Sequence, residues 1–126
     1  MRLPRGEITI QMLAMPTDTN PNGDIFGGWL VSQMDLAAGV LAKKISRGRA
    51  ATVAIHSMTF LRPVSVGDIV SCHAELLKQG KTSMTIGVEA WTEELSSGKK
   101  LCVTEGTFVF VAIDDQGRPR PVQTSP

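Results

Sequence analysis

Asp35 is the only charged side chain between Gly27 and Ala42, in a run otherwise built of Gly, Trp, Leu, Val, Ser, Gln, Met and Ala. Such a run reads as a helix that is apolar nearly all round, and a helix of that kind belongs in an interior. A carboxylate in that setting is costly unless it is paired, hydrogen-bonded or protonated. Just upstream, NPNGDIFGG at residues 20–28 leads into the helix. Backbone N–H groups of Gly27 and Gly28 at a helix start can face an oxyanion. Asn20 can orient water or a substrate. A carboxylate, an amide side chain and free backbone N–H groups are the parts needed to hydrolyse an activated acyl group. Each also has a plainer reading. Asp35 can be a hydrogen-bonded interface residue, the glycines can serve turn geometry, and Asn20 can close an Asx turn.

The elements that must position these residues are legible in the periodicity. Residues 8–13 read as a short first strand. Residues 16–27, rich in Pro, Gly, Asn and Asp, read as a long loop, and long loops in small domains tend to carry function. The helix is expected over 28–45, with Gly48 as its C-cap and Arg47 and Arg49 at the negative end of its dipole. The period then changes to two. Strands are expected over 52–61, 69–77, 82–95 and 101–113, with turns at Gln79-Gly80 and Ser96-Ser97-Gly98. In the third strand His73 alternates with Ser71 and Glu75 on the polar face, so it is expected to face solvent. Strands joined by tight turns predict an antiparallel meander. The class is α+β: a curled antiparallel sheet wrapped around one long helix. One sheet covers only part of a helix, so a second copy of the chain is expected to cover the rest.

Composition bounds the function. The chain has 126 residues, 42% hydrophobic and 20% charged, which describes one ordinary globular domain. A net charge of +1 and the absence of Tyr argue against a nucleic-acid surface. No stretch reaches the roughly 20 apolar residues a bilayer needs, and residues 1–7 lack the apolar core of a signal peptide. A cytoplasmic protein without membrane contact is expected. Cys72 and Cys102 sit alone in separate strands and read as buried small hydrophobes, with no metal-ligand spacing around them. Residues 118–126, polar and Pro-rich, are expected to form a loose tail of the single domain.

Three longer stretches are more specific than the layout. AMPTDTNPNGDIFGGW at 14–29 followed by SQMD at 32–35, FLRPVSVGD at 60–68, and CVT at 102–104 with TFVFVA at 107–112 together resemble acyl-CoA thioesterases of the YciA type, which adopt the hotdog fold. The resemblance covers roughly residues 13–120. It implies hydrolysis of acyl-CoA to a free acid and coenzyme A, with no metal or other cofactor. It implies Asp35 as the catalytic carboxylate, Asn20 facing it from the other subunit, and backbone near Gly27 and Gly28 at the thioester oxygen. It also implies a dimer assembling into a hexamer as a trimer of dimers. The chain departs at AIHSM, residues 54–58, where His56 stands in place of an acidic residue.

Coenzyme A carries a diphosphate and a 3′-phosphate, which call for cations and hydroxyl donors. Candidates are Arg62, Lys81, Arg47 and Arg49, with Thr82 and Ser83, and His56 and Ser57 as channel lining. Two rival readings stand beside the hydrolase. A hotdog dehydratase or hydratase would place a His in the lead-in to the helix, and residues 15–28 contain none. A non-catalytic acyl-CoA sensor would bind coenzyme A without turnover.

Overall fold

The structure, a computed structural model, describes residues 2–122. Along the chain run β1 (Glu7–Leu13), a 3-10 turn (Pro16–Asp18), α1 (Gly27–Ser46), β2 (Ala50–Phe60), β3 (Ile69–Gln79), β4 (Ser83–Glu94) and β5 (Lys99–Ala112). One five-stranded antiparallel sheet in the order β1-β3-β4-β5-β2 packs against α1. It does not close into a barrel.

Local sequence explains the hairpins. Gly80 N donates to Ser83 O at 2.9 Å between β3 and β4. Gly98, at φ +72°, donates to Glu94 O at 2.7 Å between β4 and β5. The expected meander therefore holds for β3, β4 and β5. It fails for β2, which pairs with β5 at one edge while β1 takes the place beside β3. Residues 61–68 make the crossing. Leu61 and Arg62 donate to Val103 O, Val64 accepts from Ile25 N, and Asp68 accepts from Ala14 N.

The helix buries Leu30, Met34, Ala37, Ala38 and Ala42, a spacing that lines one face. The alanines let it sit close over a core that includes Met84, Ile86, Val88, Phe108 and Phe110. A single chain does not bury the helix on all sides: Leu36 is 57% exposed. The helix ends on Arg47, left-handed at φ 57°, one residue earlier than the glycine cap expected. Gly48 is instead pressed by Arg120, whose Nη2 would lie 2.7 Å from an added Cβ.

Two expectations at the chain's ends are corrected. The segment from 118 is not loose as far as it is described. Ile113 and Pro119 form a β-bridge, Arg120 Nε donates to Ile113 O at 2.9 Å, and buried Val122 donates to Lys81 O at 2.8 Å. Residues 123–126 lie outside the described residues. His73 does not face solvent. It is 8% exposed because residues 2–6 lie over that side of the sheet, and its Nδ1 sits 3.2 Å from Gly6 O. The crossing is close enough that a Cβ on Gly6 would collide with the Ala74 carbonyl. Both cysteines are free and buried, and burial pushes the Cys72 thiol up to about 12. Among the described residues no helix is long and apolar enough to cross a membrane.

Candidate active site

Asp35 lies in the third turn of α1, on a flank of the helix between the buried face and exposed Leu36. Thr52 on β2 donates its hydroxyl to Asp35 Oδ1 at 2.7 Å. The strand aims that hydroxyl. Thr52 pairs with Phe110, a core residue of β5, so it points to the helix side of the sheet. The register slips immediately afterwards, between Thr52 and Ala54, and bulges of this kind re-aim side chains beside functional groups. Asp35 Oδ2 has no donor among the described residues, which leaves an oxygen open to another molecule.

Asn20 is held by its own loop. Its Oδ1 accepts from Asn22 N at 2.9 Å and Asp24 N at 3.1 Å, and its backbone N donates to Asp24 O at 2.7 Å. The Asx-turn reading is therefore correct, and it does not exhaust the side chain. The amide NH₂ group carries no bond among the described residues and remains a free donor. Gly23, at φ +84°, closes the turn in a conformation that suits glycine.

The helix start is left open as well. Phe26 N donates to Asp18 O and Trp29 N to Phe26 O, while the N–H groups of Gly27 and Gly28 have no acceptor among the described residues. The N-cap residue, Phe26, gives no side-chain cap. Gly27 and Asn20 line one pocket of about 380 Å³ together with Ile25, Leu30, Phe60 and Arg62. Asp35 is not part of that lining. Eight residues of helix separate it from Gly27, roughly 12 Å at 1.5 Å per residue. One thioester cannot touch both groups of the same chain.

The expected coenzyme A residues do not come together in one chain. Arg62 lies by the Asn20 pocket, with Nη1 donating to Cys102 O at 2.6 Å. Lys81, Thr82 and Ser83 form the β3–β4 turn, at the end of the sheet next to the helix C-terminus, where Ser83 pairs with Val111 and Ala50 with Ala112. The length of β3, roughly 35 Å at 3.3 Å per residue, lies between the two ends. His56 is exposed on β2, with Nδ1 3.4 Å from Ser57 Oγ. Ser57, left-handed at φ 57°, lines a different cavity with Arg5, Glu75, Glu89 and Thr107. Arg49 is spent on the carbonyls of Asp114 and Asp115, and Arg47 caps the helix. The residue sequence reasoning missed is Thr52. No local signal marks it, because its role is set by a strand-to-helix contact 17 positions away in sequence.

Comparison with known proteins finds relatives over most of the chain. The Thioesterase superfamily model matches residues 22–99. An acyl-CoA thioester hydrolase, YciA, from Salmonella typhimurium is 52% identical over 122 residues, 94% of this chain and 92% of its own length. A hexameric thioesterase from Yersinia pestis superposes with a TM-score of 0.93 at 50% identity, covering 98% of this chain and 100% of its own. An acyl-CoA hydrolase from Staphylococcus aureus, solved with butyryl coenzyme A and coenzyme A, superposes with a TM-score of 0.85 at 30% identity, over 90% of this chain and 69% of its own. The staphylococcal enzyme has also been solved as alanine variants at an Asn and at an Asp 15 positions apart. Asn20 and Asp35 have the same separation here.

Proposed function

The chain belongs to the thioesterase superfamily and hydrolyses acyl-CoA to a free carboxylic acid and coenzyme A, and we propose that two chains share each site, one supplying Asp35 and the other Asn20, Gly27 and Gly28. The observation that carries this reading is the pair of unpartnered N–H groups at Gly27 and Gly28, about 12 Å along the helix from the open Asp35 oxygen. Exposed apolar surface suited to a two-fold pairing of copies supports it. The free edge of β2 carries exposed Val53 and Ile55, and Leu36 is open on the helix. An open apolar edge is a ready surface for strand pairing. Two antiparallel helices related by a two-fold axis that passes near Val31 would set Gly27 of one beside Asp35 of the other. The same pairing moves the β3–β4 turn of one chain toward the Arg62 end of its partner, which gives Lys81, Thr82 and Ser83 a route to the phosphates. The hexamer is then a trimer of such dimers, working in the cytoplasm without a metal or other cofactor.

In this reading water gives a proton to Asp35 as its oxygen attacks the thioester carbonyl. Negative charge moves to the carbonyl oxygen, facing the Gly27 and Gly28 N–H groups, and such donors are worth about 10²–10³ in rate. The C–S bond breaks, and the departing thiolate takes the proton from Asp35. The Asn20 amide orients the water or the carbonyl.

Thiol release from a panel of short to long acyl-CoAs, wild type beside Asp35→Asn, tests the base. Turnover in the variant at the wild-type level would remove Asp35 from the reaction. Mixing separately impaired Asp35→Asn and Asn20→Asp chains tests the sharing. Random exchange rebuilds one intact site in each mixed dimer, so about a quarter of wild-type activity should return by two-fold symmetry. No recovery, with subunit exchange verified by mass, would place both groups in one chain's site.

A further inference from the structure

We infer that Thr52 is a positioning residue for the hydrolysis: its hydroxyl fixes the Asp35 carboxylate so that Oδ2 alone is presented to the attacking water. The inference rests on the proposed role of Asp35. Its basis is geometric. The Oγ1 to Oδ1 distance of 2.7 Å is that of a well-formed hydroxyl-to-carboxylate bond. The bond joins two elements, β2 and α1, and so ties the carboxylate to the sheet rather than to its own helix turn. Thr52 is β-branched, which restricts the hydroxyl to few rotamers. The register slip between Thr52 and Ala54 turns the chain just after it, so the orientation belongs to this strand position and not to a run of equivalent ones.

One consequence follows for the chemistry. With Oδ1 occupied, rotation of the carboxylate about χ2 is checked, and a free rotor would present either oxygen at varying angles to the water. A misplaced reacting group costs rate far more than it costs binding. The hydroxyl proton stays on Thr52 throughout. The proton that moves is the water's, and it goes to Asp35.

The experiment compares Thr52→Val, Thr52→Ser and Asp35→Asn in acyl-CoA hydrolysis, with assembly checked by sedimentation. Val keeps the shape and removes the hydroxyl. The expected result for it is a fall in kcat of about tenfold or more with KM little changed. Ser should restore most of kcat. If Thr52→Val does not assemble, Thr52→Ala is read in its place against the Ser variant. A kcat at the wild-type level in the hydroxyl-less variant, or a Ser variant as impaired as Val, would overturn the inference. Asp35→Asn separates the two levels of the argument. If it stays active, the base assignment itself fails; if it is dead while Thr52→Val behaves as wild type, only the role of Thr52 fails.

Discussion

Asp35 and Glu89 are both acids drawn into the folded chain, and the fold treats them in opposite ways. Glu89 lies on the face of the sheet turned from the helix and is bonded at both oxygens. Its Oε1 accepts from Arg2 Nη1, Arg5 N and Trp91 Nε1, each at 3.0 Å, and Arg2 Nη1 is also 2.9 Å from Oε2. The Arg2 guanidinium then stacks over the Trp91 ring at 5.3 Å. Asp35 lies toward the helix side and has one donor, Thr52, and one open oxygen. A carboxylate held by three donors, one of them a cation, acts as a clasp for the N-terminal segment. An undersaturated one has a lone pair to use and pays for it in stability. The difference is in bonding capacity left over, not in burial, since Glu89 is the more buried of the two.

Exchanging each acid for its amide sharpens the contrast most. Asp35→Asn is expected to lower kcat by about 10²–10⁴, the usual worth of a general base, with little change in thermal stability. Glu89→Gln is expected to leave kcat and KM near wild type and to cost about 1–2 kcal/mol of stability, the worth of a weakened bond set to a charged group, read by urea unfolding. A large kcat loss in Glu89→Gln would break the comparison.

Asn20 tests the same idea of leftover capacity in a loop. Asn20→Asp keeps the oxygen that closes the turn and removes the free amide donor. A fall in kcat of about ten- to a hundredfold is expected with the loop intact, as judged by unchanged thermal stability. Asn20→Ala should add a loss of about 1 kcal/mol, because the Asn22 and Asp24 N–H groups lose their acceptor.

The smallest expected effect is one of pH. Burial alone would push the Glu89 carboxyl up, but the hydrogen bonds from Arg2, Arg5 N and Trp91 outweigh it and hold it below the usual carboxylate range. A group whose folded value is depressed contributes stability above its unfolded value, about 4.3 for Glu, and loses that contribution as pH falls through the folded value. The stability gap between wild type and Glu89→Gln should therefore be widest near neutrality and narrow below about pH 4. A gap that widens on acidification would contradict the clasp.

Much of this was legible in the residues. Strand and helix bounds follow from period-two and helical spacing, which are local properties, and the structure moves them by only one or two positions in most cases. The lone acid at 35, the Asn at 20 and the paired glycines stand out because each is out of place by type. The Asx turn at Asn20 was readable too, being closed within four residues. What was not legible depends on which strand lies beside which. His73 was read by alternation as solvent-facing, yet a segment more than 60 residues earlier covers it. Arg62 and Lys81 were grouped by charge, yet the hairpin carries them to opposite ends of the sheet.

The sequence by itself determined the elements, the class of fold and the chemical parts, because a side chain's type and its period along the backbone act over a few residues. Tertiary structure alone decided that β2 crosses to pair with β5, and with it that Thr52 meets Asp35. Those outcomes depend on contacts between distant segments. Their energies come from packing and hydrogen bonds formed after the chain closes on itself, so no local pattern records them.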